Sequence, residues 1–275
     1  MPDKKQRPLL IPLAALLIMA VALHFSGLLD RIDNRLGDAF LAQHASGRTP
    51  PADIVLVAID QKSLENMSEV AGSWPWPRAV HGELIDGLAR FQPTAIGFDI
   101  LFNEAASFRP DSDAVLRDIA REHTNLFFPS LLLADGKGAP LHALPPSFGL
   151  QRTQQAEDYA TAALLVPLVL DQTNWQGGLI NFEKDNDLRG RHARLYHTVN
   201  GWQLPSLSAS MARFAGTTLP ATPLVRLNWY GTPPRTIPYA DLFADMASER
   251  PVIAPTLKSS IVIIGATAPG LNDFR

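Results

Sequence analysis

The sequence predicts an α/β fold, a mostly parallel sheet with flanking helices, preceded by one N-terminal transmembrane helix. Three observations predict it: an uncharged apolar stretch at 8–29, continuous apolar runs bounded by polar residues, and segments of helical periodicity between those runs. Uninterrupted apolar runs are the mark of parallel strands buried on both faces, and β-α-β order implies a parallel sheet.

Residues 8–29 carry no charge, and a helix of that length spans about 33 Å, against a hydrocarbon core of about 30 Å. Lys4, Lys5 and Arg7 precede it, whereas Arg31 and Arg35 beyond it alternate with Asp30 and Asp33, so the N-terminus is expected in the cytoplasm. The stretch is longer than a usual signal-peptide core and ends without an A-x-A-like site, which favours an uncleaved anchor. Ile32, Leu36, Ala39 and Phe40 then suggest a short helix continuing over 31–40, and the Gly- and Pro-containing segment 47–51 is a linker candidate.

The run 53–60 reads as the first buried strand, and 94–102 as the second. Between them Pro77 suits a first helical position, followed by Val80, Leu84, Leu88 and Phe91 along one helical face. A second helix starts at Asp111, with Val115, Ile119 and Ala120 facing inward, and a third strand covers 125–133. Residues 134–176 are rich in Pro, Gly and Ala and give little periodicity. Later strands are expected at 179–182, 195–198, 225–230 and 260–265, with a helix over 204–215. The expected division is therefore a cytoplasmic 1–7, a membrane helix 8–29, a juxtamembrane helix and linker 30–52, and one extracytoplasmic domain 53–275.

Composition narrows the function. With 46% hydrophobic and 19% charged residues the 275-residue chain is globular rather than disordered, and a net charge of -3 offers no field for nucleic acid. The absence of cysteine removes disulfides, thiolate metal sites and a cysteine nucleophile together.

Asp60 and Asp99 close predicted parallel strands, at the edge where open α/β sheets place their binding crevice, and Asp273 follows the last strand. Three convergent carboxylates would suit a divalent cation such as Mg²⁺ or Ca²⁺; the plainer reading is that each caps a turn or pairs with Arg78. Trp74 and Trp76 flank prolines, and either hold an indole ready for an apolar or cationic ligand or pack the helix start onto the sheet.

The loop from Asp185 and Asp187 to Gly190 begins like a calcium loop but has Arg189 at its fifth position and Tyr196 at its twelfth, so it is not an EF-hand. A surface turn with Arg194 pairing one of the acids is expected. His192 and His197 read as unrelated surface residues. The glycines at 265 and 270 have phosphate-loop spacing, but Leu271 and Asn272 replace the Lys and Ser/Thr that the chemistry needs. No G-x-S-x-G, H-E-x-x-H or G-x-G-x-x-G occurs, so neither a catalytic site nor a cofactor is recognised.

Trp74-Pro75-Trp76-Pro77-Arg78, followed by Ile96-Gly97-Phe98-Asp99-Ile100-Leu101-Phe102, resembles the signature of the CHASE2 family of extracytoplasmic sensor domains. Gly178-Leu179-Ile180-Asn181-Phe182, leading into Asp185, Asp187 and Arg194, agrees with it, as does the run from Ile261 through Gly265, Thr267 and Gly270 to Asp273. One departure is that the family usually shows Asp-x-Asp-Gly, whereas Leu188 follows Asp187 here.

The resemblance, covering about 53–274, implies the sensory region of a bacterial inner-membrane receptor that controls a cytoplasmic adenylate or guanylate cyclase or a kinase. None of those output domains is recognisable in the chain, which is expected to be a non-enzymatic sensor fragment, single-pass in this chain and homodimeric. Its expected partners are the membrane and a small-molecule or envelope ligand. Candidate contacts are Asp60, Trp74, Trp76, Arg78, Asp99, Asp185, Asp187, Arg194, Thr267 and Asp273. The alternatives are a membrane-tethered hydrolase built on a carboxylate-bound metal and a structural envelope domain.

Overall fold

The computed structural model describes residues 28–185, 187–269 and 271, together with positions 12 and 19. The expected membrane segment therefore lies almost wholly outside the described residues, as does Asp273. Among the described residues no helix is long and apolar enough to cross a membrane. The chain divides into two compact units, 1–49 with 228–232, and 50–227 with 233–275.

In chain order the first elements are helix α1 (Leu28–Ser46), strand β1 (Ile54–Ile59), short helices α2 (Gln61–Asn66) and α3 (Ser68–Ala71), helix α4 (Arg78–Ala89), β2 (Ala95–Asp99), α5 (Pro110–Glu122) and β3 (Leu126–Leu132). Short strands follow at β4 (Ala139–Pro140), β5 (Gln151–Arg152), β6 (Thr161–Ala162), β7 (Leu164–Leu165) and β8 (Gly177–Leu179). The remainder is β9 (His192–Arg194), β10 (Tyr196–Val199), β11 (Trp202–Pro205), α6 (Leu207–Phe214), β12 (Leu224–Arg226), β13 (Arg235–Pro238), α7 (Tyr239–Ala247) and β14 (Ile261–Ala266).

In the smaller unit α1 runs past the expected end to Ser46 and stops at the turn around Gly47. Arg48 there lies 5.0 Å from the Tyr230 ring centroid, and its carbonyl accepts from the Gly231 amide at 3.0 Å.

The larger unit is built on a seven-stranded sheet of order β13-β1-β14-β2-β3-β7, with β8 pairing β3 as well. Every pairing in it is parallel except β3 with β7. Side chains alternate across the sheet as the pleat requires. One face sends Val57, Ile96, Phe98, Phe128 and Ile264 against α4, α5 and α7 in the main core. The other sends Ala95 and Phe127 against Leu207 and Met211 of α6. Each fully buried Phe, Leu or Ile among these contributes about 2 kcal/mol by leaving water.

Two glycines admit this packing. A Cβ on Gly97 would lie 2.5 Å from Met211 Sδ, and one on Gly178 would lie 2.5 Å from the backbone carbonyl carbon of Ser206. The family-like motif residues Gly97 and Gly178 thus let α6 approach β2 and β8.

The periodic segments lie where the sequence places them, with several differences. Pro77 is the N-cap of α4 rather than its first helical residue, its carbonyl accepting from the Val80 amide at 3.0 Å. Ala120 is fully buried and Ile119 packs against the core as expected, but Val115 is 40% exposed and Leu116 takes the fully buried place beside it. The expected 204–215 helix is split: β11 occupies its start, and Ser206 caps α6 by accepting from the Ala209 amide at 3.2 Å. The 225–230 run is a strand only to Arg226, and Trp229 and Tyr230 are exposed.

The expected 179–182 strand is displaced to β8. Past its end the Asn181 side chain replaces a strand, its Oδ1 accepting from the Leu132 amide and its Nδ2 donating to the Leu132 carbonyl, each at 2.8 Å.

Candidate ligand-binding site

The last residues of the expected second strand, 100–102, leave the sheet after Asp99 and form one wall of a cavity of about 410 Å³. The opposite wall is the segment entering α4, where Trp74 and Trp76 sit on either side of Pro75 and the Trp74–Pro75 bond is cis. Extended backbone at Pro77 stops the helix from growing backward, so both indoles project from a fixed, non-helical strut. Their rings meet edge to face at 5.2 Å, and Trp76 also packs 5.0 Å from Tyr239. Trp76 is 4% exposed, and its Nε1 is buried without a hydrogen-bond partner. A buried donor without an acceptor costs about 1–3 kcal/mol.

The floor joins the starts of two helices. Arg78 Nη1 donates to Asp113 Oδ1 of α5 at 3.0 Å, Arg78 Nη2 donates to the Glu104 carbonyl, and Asp113 Oδ2 accepts from the Ala106 amide at 2.7 Å. Ser112 Oγ accepts from the Ala79 amide at 2.8 Å. These bonds tie α4, α5 and the 104–106 loop into one piece around the cavity. Deeper in, His81 is 2% exposed and lies 5.8 Å from the Phe102 ring centroid and 6.3 Å from that of Trp74. Burial, reinforced by the charge of Arg78, lowers its pKa to about 4, so it is neutral at pH 7. Phe108, 97% exposed, stands at the rim.

The cavity gathers Trp74, Trp76 and Arg78 from the residues singled out in the sequence. Of the plainer reading, in which each acid caps a turn or pairs with Arg78, the pairing does not occur for Asp60: Arg78 takes Asp113 as its partner, because both start adjacent packed helices. The other candidates lie elsewhere. Asp60 caps α2, accepting from the Ser63 amide at 2.8 Å. Asp99 sits exposed at the end of β2, opposite Gly265 of β14, while Thr267 is exposed just beyond β14, with its amide donating to the Ile59 carbonyl at 3.0 Å. These three share the carboxyl edge of adjacent strands, yet among the described residues no group of three His, Cys, Asp or Glu side chains is placed to hold a metal ion.

Asp185 and Asp187 form a second, separate constellation, and here the expected pairing with Arg194 is corrected. Buried Arg191 binds both acids, Nη1 to Asp185 Oδ2 at 2.8 Å and Nη2 to Asp187 Oδ2 at 2.6 Å. Hydrogen bonds from Arg191 hold the Asp187 carboxyl down to about 2. Arg194 instead grips Glu183 with two bonds, at 2.7 and 2.6 Å. Arg194 follows two residues into β9, where its side chain no longer reaches the turn. Nor are the two histidines surface bystanders: His192 Nδ1 is 3.5 Å from Asp185 Oδ1, and His197 is buried, its pKa lowered by that burial and by Arg194. Sequence reasoning missed His81, Phe102 as a wall, Asp113 and Arg191. The available signal for His81 was its place beside Val80 on the apolar face of α4.

No curated protein and no solved structure matches the chain. The family model for the CHASE2 domain matches residues 13–275, so the chain belongs to the CHASE2 domain family, a family of extracytoplasmic sensory domains.

Proposed function

We propose that this chain is the ligand-sensing region of a bacterial transmembrane receptor and that the aromatic cavity at the start of α4 is its ligand site. The observation that carries the reading is the cavity itself, about 410 Å³ walled by Trp74, Trp76 and Phe102 and lined also by Arg78 and Ser112. A ligand held there would touch Arg78 and Ser112, through which α4 and α5 are joined. A ligand shifts a conformational equilibrium only by its differential affinity for the two states, and groups that link two helices are where such a difference can arise.

In this reading residues 8–29 form a membrane helix with the N-terminus in the cytoplasm, the 53–275 domain is periplasmic, and the receptor works as a homodimer. Its output, a cyclase or a kinase, is carried by a cytoplasmic region outside this chain. The divalent-cation alternative has less support, because Asp60 is already occupied in capping α2.

The test is the output of the full-length receptor in native membranes with Ala105→Trp, which fills the cavity, and Trp74→Ala, which strips one wall. Both are expected to shift output, while Trp229→Ala, at an exposed ring outside the cavity lining, leaves it at the wild-type level. Wild-type output from both cavity variants would overturn the proposal.

A further inference from the structure

The apolar residues of α1 that share one helical face are exposed rather than buried. Ile32 is 47% exposed, Leu36 56% and Phe40 70%, with Ala39 and Gln43 exposed beside them. At 3.6 residues per turn these five fall within an arc of about 100°. Ile32, Leu36, Ala39 and Gln43 follow the 4-3-4 spacing of a two-helix seam, and none of them is charged. The opposite side of the helix is covered. Asn34, Asp38 and Leu41 are half-buried and Ala45 is 7% exposed, with Gly231 so near that a Cβ there would stand 2.7 Å from the Ala45 carbonyl oxygen.

Lipid is a poor cover for this seam. Phe40 lies eleven residues beyond the uncharged stretch 8–29, about 16 Å along a helix. Three aspartates against two arginines also leave α1 without the basic face that an anionic lipid surface attracts.

A second copy of the chain fits in charge. Asp33 and Phe40 lie on one flank of the seam and Arg35 on the other. A parallel two-fold pair sets the Arg35 flank of each copy against the Asp33 and Phe40 flank of the other, where a guanidinium meets a carboxylate and a ring face. An antiparallel pair would set Arg35 against Arg35. Two copies anchored in one bilayer through 8–29 in the same sense send α1 out in the same direction, which is the parallel case.

We infer that the seam Ile32, Leu36, Ala39 and Gln43 of α1, flanked by Asp33, Arg35 and Phe40, is where a second copy of this chain docks, parallel and in register. The inference rests on the reading of the chain as a membrane-anchored homodimer and names the face that joins it. A seam on one helix of 19 residues is too small to hold two free proteins together; a shared membrane supplies the effective concentration that it lacks.

The chain has no cysteine, so single cysteines placed along α1 of the full chain in native membranes report the neighbouring copy by disulfide formation under copper–phenanthroline oxidation. Strong cross-linking is expected for Leu36→Cys, Ala39→Cys and Gln43→Cys. It should be several-fold weaker for Asn34→Cys and for His44→Cys, which is exposed but off the seam. In the Leu36→Cys chain, Arg35→Glu sets an acid beside the other copy's Asp33 and should lower cross-linking several-fold, and adding Asp33→Arg should restore it.

Cross-links centred on Asn34 and Leu41, or equal at every position, would overturn this face while leaving the homodimer standing. None at any position would overturn both. A charge swap that fails to restore cross-linking would overturn the parallel register. The cavity is tested apart from all of these, by the Ala105→Trp output.

Discussion

His81 Nδ1 lies 3.2 Å from the Tyr239 hydroxyl, and that hydroxyl lies 3.2 Å from the Val80 carbonyl. A hydroxyl has one proton and a carbonyl can only accept, so both bonds are made when Tyr239 donates to Val80 and His81 donates from Nδ1. The arrangement sets the histidine tautomer and locks α4 to α7 through two buried side chains, of which Tyr239 has its own ionisation pushed well up, chiefly by burial.

A pH dependence follows. The folded imidazole titrates at about 4, below its ordinary value of 6.5, so below pH 6.5 the unfolded chain takes up a proton that the folded chain refuses. Stability from this group is complete above pH 6.5, declines as pH falls, and levels off below pH 4 after a loss of about 3 kcal/mol. Urea midpoints of wild type and His81→Gln between pH 7 and 4 should converge as the wild type loses this increment; parallel curves would show that His81 is not the titrating group.

Arg78→Ala should destabilise the fold by about 3 kcal/mol, because it strands the Asp113 carboxylate, whose side chain is 5% exposed. Adding Asp113→Leu should recover part of that loss, since the stranded charge is gone. The comparison is made by denaturant unfolding of the single and double variants.

Leu188 adopts φ 63 at the position where the family's turn carries glycine. A left-handed backbone costs a residue with a Cβ about 1–2 kcal/mol, and glycine returns some of the gain as unfolded-chain entropy. Leu188→Gly is therefore expected to raise stability by about 0.5–1 kcal/mol, which the melting temperature would register as a rise of a few degrees. A lowered melting temperature would mean that Leu188 contributes more than its backbone costs.

Asp245 accepts from three successive amides, Val252 at 2.8 Å, Ile253 at 2.9 Å and Ala254 at 2.8 Å. Burial opposes its ionisation, but these bonds outweigh it and hold the carboxyl below its ordinary range, so the stability it supplies is present above pH 3.8 and lost as pH falls further. Asp245→Ala leaves the amides without their acceptor and should cost about 3 kcal/mol, with Asp245→Asn costing less. Hydrogen exchange at residues 252–254 would report the same loss locally.

The parallel core was legible because runs such as Ile54–Ile59 and Ile261–Ala266 are apolar on both faces and so cannot be read as anything solvated. β13 was not: Arg235, Thr236 and Pro238 leave Ile237 as the one buried residue of the strand, and its edge position is recorded only in its pairing with β1. The α6 boundary was misread because the buried Leu204 fits either a strand or a helical face.

The site was half legible. Trp74, Trp76 and Arg78 are neighbours in sequence and in space, so their motif pointed to the cavity. The Arg78–Asp113 pair joins residues 35 apart, and which of many acids meets an arginine depends on how α4 and α5 pack. The turn at Asp185 turned on reach, which selects Arg191 over Arg194 and leaves no trace in composition.

β14 lies between β1 and β2, although it is the last strand in the described chain. Both neighbours therefore wait, each with an unpaired edge, while the intervening residues are made, some two hundred of them in the case of β1, since Ile54 pairs with Ile261. For a domain delivered through a membrane, that wait is spent unfolded or half-folded beyond reach of the ribosome, with two edges open to strangers. Assembly of this sheet should accordingly be slow and nearly all-or-none, completed by the arrival of one six-residue segment.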